Sequence, residues 1–188
     1  MNVSNASMSG RRTSYSATSK WLHWIVAIIV IGMIPAGIIM SKLPKGPEKL
    51  MIFGYHTEFG VLVLLLVIWR FLTRLGHGTP APVATLSAFE RIASTSATHL
   101  LYLLLLAMPL IGWLAVSALG GHIEFFGLFQ LPALMPKNPA VGKILLAAHK
   151  IGGISILVLV SAHILAALYH GLVKHDGVFS RMWPGGEA

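Results

Sequence analysis

Apolar residues are gathered in four long runs along this chain, covering residues 21–40, 51–72, 100–119 and 144–172. The hydrocarbon core of a bilayer is about 30 Å thick and takes roughly 20 apolar residues in helical form. Each run meets that length, so the pattern predicts four transmembrane helices. No glycine- or serine-rich linker divides them, and no internal repeat is visible. The expected organisation is a flexible N-terminal tail over 1–19, a four-helix transmembrane domain over 20–175 and a C-terminal tail over 176–188.

The connections differ in character. Residues 41–50, SKLPKGPEKL, read as a short basic turn. Residues 73–95 read as a loop broken by Gly76, Gly78, Pro80 and Pro82, with a short surface helix from Leu86. Residues 120–143 carry Phe125, Phe126, Phe129, Pro132 and Pro136. That stretch is either a cap lying in the membrane interface or an ordinary ordered loop.

Composition agrees with the pattern. The 188 residues are 55% hydrophobic and 11% charged, too little charge to clothe a soluble domain. Cysteine is absent. That excludes disulfides, iron–sulfur clusters, c-type haem attachment and a redox thiol pair. No apolar segment precedes Lys20, so no cleaved signal peptide is expected. The formal net charge is +8, but the basic residues are scattered over loops and helix ends. Anionic lipid headgroups, not nucleic acid, are the expected partner.

Lys and Arg bias sets the orientation. The side with both termini holds Arg11, Arg12, Lys20, Arg74, Arg91, Lys174 and Arg181. The other side holds Lys42, Lys45, Lys49, Lys137 and Lys143. The excess places both termini in the cytoplasm.

Ionisable groups inside membrane helices are costly and usually functional. His149 and His163 lie 14 residues apart on the fourth helix. At 100° and 1.5 Å per residue they share a face and stand about 21 Å apart. They therefore serve two sites rather than one. The first helix runs outward, so His23 lies near the cytoplasmic end, level with His163. The second runs inward, so His56 lies near the outer end, level with His149. Two pairs at matched depth, each joining two helices, are what bis-histidine ligation of two b-type haems requires. An all-α integral membrane four-helix bundle enclosing two b-type haems is the expected fold.

Arg70 follows His56 by 14 residues and comes to the inner level. Arg70 and Arg74 are candidate partners for haem propionates, unless they snorkel to the headgroups. Gly60, Gly152 and Gly153 would leave room for a flat macrocycle, though glycine also serves helix packing. Glu58 could carry a proton near the outer pair or be a solvated end residue. His99 could replace His163 or bind a quinone headgroup. His170 shares the face of His163 but lies about 10 Å nearer the cytoplasm. His77, His122 and His175 fall in loops or the tail.

These residues resemble the bacterial cytochrome b561 family of small four-helix dihaem proteins, over nearly all of residues 20–184. The shared pieces are WLHW at His23, YHTEFG at His56, Arg70-x-x-x-Arg74, LYLLLLAMPLIGW, AHKIGG at His149, SAH at His163 and RMWP. The resemblance implies that His23, His56, His149 and His163 ligate the haem irons. The family often has a helix 3 histidine one position earlier than His99, relative to Tyr102, so the match there is imperfect. The resemblance further implies an oxidoreductase of the bacterial inner membrane that passes electrons to ubiquinone. One family activity is superoxide oxidation at the outer haem; the basic outer loops would either steer that anion or simply bind lipid. The alternative is a haem-bearing anchor or conduit for a dehydrogenase or respiratory complex. A metal-ion transporter fits poorly, because imidazoles about 21 Å apart form no single site.

Overall fold

A computed structural model describes residues 13–185. Arg11, Arg12 and most of the expected N-terminal tail lie outside the described residues. Four helices are long and apolar enough to cross a membrane. They are α1 (Ala17–Lys42), α2 (Pro47–His77), α3 (Ala88–Leu119) and α4 (Pro139–Tyr169), with α4 continuing through a π turn at His170–Lys174.

Local chemistry explains the ends. Ser16 accepts the Ser19 amide at the start of α1. Ser87 and Glu90 form a reciprocal capping box at the start of α3. Asn138 caps α4, with Pro139 in the first turn. Gly120 closes α3 in the left-handed conformation, at φ 79°.

The helices outrun the apolar segments. The segment expected as a loop over 73–95 is shorter: α2 continues to His77, and α3 begins at Ala88 without interruption. The expected surface helix from Leu86 is the first part of α3. The reason is physical. Hydropathy marks the part of a helix inside hydrocarbon, whereas the helix itself ends where caps and breakers end it. Between Ala88 and Met108 no glycine or proline intervenes. At 31 residues, α2 is about 46 Å long, well beyond the hydrocarbon thickness.

Neighbouring helices pack in chain order, α1 on α2, α2 on α3 and α3 on α4. The contact between α3 and α4 is the most extensive, whereas α4 meets α1 at only a few positions. The buried core sits at mid-height: Val26, Val30, Val63, Val67, Met108 and Ile156. Around it, large apolar side chains such as Ile28, Leu65, Ile154 and Leu165 point outward and are more than half exposed. Such a surface is what lipid tails cover, and helices satisfy their own backbone groups there.

The 120–143 segment folds into a cap. A short hairpin pairs β1 (Glu124–Phe125) with β2 (Phe129–Gln130). Phe126, at its turn, meets Phe59 of α2 edge-on at 5.3 Å. The Trp113 indole N–H donates to the Pro132 carbonyl at 3.0 Å, and the Leu134 amide donates to Ser117 Oγ at 3.1 Å. Ile123 and Leu131 are buried beneath it.

The other end is closed as well. Of the stretch expected as a C-terminal tail, residues 176–185 are described, and they fold back onto the bundle. Trp24 donates its indole N–H to the Met182 carbonyl at 2.9 Å and meets Trp183 at 5.4 Å. Arg181 donates to the Ala81 carbonyl.

Candidate haem sites

The inward faces run in sevens. On α4 the sequence is Gly142, His149, Ile156, His163, His170; on α2 it is His56, Val63, Arg70; on α1 it is His23, Val30, Gly37. Seven residues carry a helix through almost two full turns, so each series keeps to one face. His23 is thus separated from Gly37 by Val30, His56 from Arg70 by Val63, and His149 from His163 by Ile156, all three of them buried.

The structure brings the rings together in two places. The imidazoles of His23 and His163 lie 6.1 Å apart between centroids, inclined at 70°. Those of His56 and His149 lie 6.0 Å apart, inclined at 78°. With metal–nitrogen bonds of about 2.0–2.1 Å and a ring centroid about 1.1 Å from its nitrogen, two rings sharing one metal come to roughly 6.2 Å. The spacing therefore fits a metal between the rings, although edge-to-face ring packing also spans that distance.

Other observations bear on which it is. His56 Nδ1 is buried with no hydrogen-bond partner among the described residues, a costly arrangement for a ring that only packs. His149 Nδ1 lies 3.1 Å from the Met108 carbonyl. With the proton on Nδ1 donated there, Nε2 keeps its lone pair for a metal. Among the described residues no cluster of three or more His, Cys, Asp or Glu is placed to hold a metal ion. Two imidazoles alone are a poor cage for a bare ion. They suit an iron that brings four equatorial nitrogens of its own.

Room for the rings comes from glycines that the histidine pattern does not single out. A Cβ on Gly112 of α3 would stand 3.0 Å from His149 Cε1 and 3.2 Å from Nδ1. A Cβ on Gly37 of α1 would stand 3.3 Å from His56 Cε1. Each glycine follows a helix-internal proline, Pro35 or Pro109, that leaves a carbonyl one turn back without its usual donor. The glycines expected to make room do other things. Gly152 admits Met108 where α3 and α4 press together, Gly60 is in ordinary contact with Met33, and Gly153 faces open space. Gly37 is findable from sequence, since it follows His23 at the same interval by which Arg70 follows His56. Gly112 is not, because α3 carries no paired histidine to reveal its inward face.

Arg70 lies at the level of the His23–His163 pair. Its Nη1 donates to the Ser19 carbonyl at 2.7 Å, one turn before His23. Its guanidinium and that of Arg74 each stand 5.8 Å from the Tyr102 ring. Neither arginine has a carboxylate partner among the described residues. Two cations gathered at one ring leave a place suited to an anion. His99 is exposed on the outer side of α3, and the ring that meets His23 is that of His163. Glu58 is half-buried and directly precedes Phe59, the α2 residue that meets the hairpin.

Four membrane helices with imidazoles paired across the bundle define the class of membrane b-type cytochromes. The family profile described as prokaryotic cytochrome b561 matches residues 14–185. Cytochrome b561 homolog 2 of Escherichia coli (strain K12) is 32% identical over 175 residues, covering 89% of this chain and 90% of that protein. Cytochrome b561 homolog 1 of the same organism is 27% identical, with 90% and 97% covered. A protein of Yersinia pestis named probable superoxide oxidase CybB is 28% identical, with 90% and 96% covered. The chain belongs to the prokaryotic cytochrome b561 family. It is a multi-pass membrane protein and a b-type cytochrome of electron transfer.

Proposed function

We propose that the chain holds two haem b groups, of which His23 and His163 would hold the inner one and His56 and His149 the outer. Through them it moves electrons from a one-electron donor at the outer face to the quinone pool. The observation that carries this reading is the two imidazole pairs at 6.1 and 6.0 Å, one near each end of the bundle. Bound haem supplies one-electron redox chemistry that no side chain here can. The chain's own part is to hold, space and tune. The histidines would hold the irons, Val30, Val63 and Ile156 would keep the region between dry, and Arg70 and Arg74 would offer their charge to the propionates of the inner haem.

Superoxide is the proposed donor and ubiquinone the proposed acceptor, in the bacterial inner membrane with both termini in the cytoplasm. The name of the Yersinia pestis relative supports the donor. So do Lys42, Lys45, Lys49, Lys137 and Lys143 against Glu48 and Glu124 at the outer end, an excess that attracts an anion. The test is stopped-flow absorbance of the purified protein, challenged with superoxide and with quinone in turn. Superoxide is expected to reduce the haems and quinone to reoxidise them. If neither changes the spectrum, the donor–acceptor reading fails and a conduit for a dehydrogenase or respiratory complex takes its place.

Arg70 offers a second handle. A cation beside a haem favours the reduced state, so Arg70→Gln is expected to lower the inner potential by some tens of millivolts at unchanged haem content. Arg70→Lys, which keeps the charge, is expected to retain most of it. Redox titration reads both.

A further inference from the structure

The hairpin between α3 and α4 carries a strained residue that ligation of haem does not explain. Phe126 and Gly127 both have positive φ, at 50° and 69°. The Leu128 amide closes the turn on the Phe125 carbonyl at 2.9 Å. Two successive left-handed residues are the mark of a type I′ turn, which favours Asn-Gly or Asp-Gly. Gly127 meets that need. A bulky residue such as Phe126 is an outlier there, because its Cβ crowds the backbone. Strain of this kind persists only where the surroundings over-determine it, and it gathers at functional sites.

The surroundings do so here. The base of the hairpin is fastened to the outer end of α3. Trp113 donates to the Pro132 carbonyl, Ser117 Oγ accepts the Leu134 amide, and the Asn138 amide donates to the Ala118 carbonyl at 2.8 Å. Ile123 and Leu131, joined backbone to backbone at 2.8 Å, are buried. The tip crosses to α2, where Phe126 meets Phe59 edge-on at 5.3 Å. Phe125 packs on Phe126 at 5.0 Å and on Phe129 at 5.3 Å. Phe59 follows His56 by three residues, and a helical side chain leans back over the turn before it, toward the level of His56. On α3, Gly112 borders His149 and stands five residues before Ser117. Phe126 thus bridges the helix that carries one outer imidazole and the helix that borders the other.

We propose that Phe126 is a specificity-determining residue, an aromatic shield that admits small electron donors to the outer haem and holds off larger ones. The inference rests on the reading above in which the donor meets the outer haem. Electron transfer weakens steeply with distance. A diatomic anion passes beside the ring, whereas a donor with a ring of its own stops against it. Closure of this kind keeps water and unwanted reactants from a redox site. Charge cannot make the distinction, because the lysines of the outer end attract small and large anions alike.

The test compares superoxide with ascorbate, two monoanions at neutral pH that differ in size. Each gives up one electron: superoxide leaves as dioxygen, and ascorbate releases a proton and leaves as its radical. Each is mixed in stopped flow with the oxidised, haem-loaded, full-length protein. Phe126→Asn supplies a residue that accepts the left-handed conformation, so the turn is kept and only the ring is lost. The ratio of the ascorbate rate to the superoxide rate is expected to rise about tenfold. Phe59→Ala leaves the turn itself untouched and removes the ring on which Phe126 rests, so it is expected to move the ratio in the same direction. Transfer of haem to excess apomyoglobin gives a readout apart from turnover: one of the two haems is expected to leave roughly threefold faster in Phe126→Asn. A parent-like ratio in both variants would overturn the proposal, even with faster haem loss, because the hairpin would then only retain the group. If superoxide fails to reduce the parent, the donor reading above is at fault. The ascorbate rate alone then decides: a rise in Phe126→Asn upholds the shield, and a parent-like rate overturns it.

Discussion

A chain in which His163 is replaced by alanine is expected to bind about one haem b where the parent binds two. The lost group is the inner one. His163 supplies the ring opposite His23, at 6.1 Å between centroids, and no other imidazole among the described residues meets His23. His99 is on the same end of the bundle but faces outward from α3, so it cannot step in. The outer pair is about 21 Å away along α4, with Ile156 and the valines packed between. It should keep its haem and its spectrum. Pyridine haemochrome analysis gives the count, and a redox titration that falls from two components to one identifies the survivor. Two haems per chain in this variant would remove His163 from the site. The alanine also leaves a hollow beside an imidazole that had been paired, so a lower melting temperature is expected alongside the lost haem.

The same pairing shows how far the amino-acid order carries the structure. Apolar length gives the number of helices, because a bilayer imposes a minimum span that few soluble segments reach. Depth gives the pairing of His23 with His163 and of His56 with His149, because helices that alternate in direction place each residue at a definable height. Both arguments use distance along a helix axis. What they miss depends on other things. Hydropathy misplaces the ends of α2 and α3, because helices continue into water wherever caps such as Ser87–Glu90 permit. That S-x-x-E signature is readable in the sequence, but apolar length alone passes over it. The folded-back segment after Lys174 depends on Trp24 and the Met182 carbonyl meeting although they stand 158 residues apart in the chain. No local pattern announces such a contact. The glycines are the instructive case. Proximity in sequence to a histidine suggests Gly60, Gly152 and Gly153, yet a ring needs space on the helix opposite, and Gly37 and Gly112 provide it.

Gly112→Val is accordingly expected to abolish outer haem binding without touching any ligand. The site is on α3, which gives His149 the gap at Gly112 and the Met108 carbonyl. Even an alanine Cβ would stand 3.0 Å from His149 Cε1, tighter than ordinary contact by a few tenths of an ångström. The ring can yield that much, so Gly112→Ala should weaken the site and leave it occupied. Valine adds two methyl groups on a stiff, branched side chain in a helix. The His149 ring must then swing away, breaking its bond to Met108 and losing alignment with His56. Overpacking of this kind typically costs about 1–3 kcal/mol, with the helices free to keep their overall arrangement. Substitution of glycine in a helix would otherwise be favourable by up to about 1 kcal/mol, so any loss measures the space and not the backbone. The expected product holds about one haem, with the potential of the inner site. It is the complement of the His163→Ala chain: the two titrations should sum to the parent's. A Gly112→Val protein that keeps both haems would show that the outer ring does not need the gap, and that His149 reaches its iron by another path.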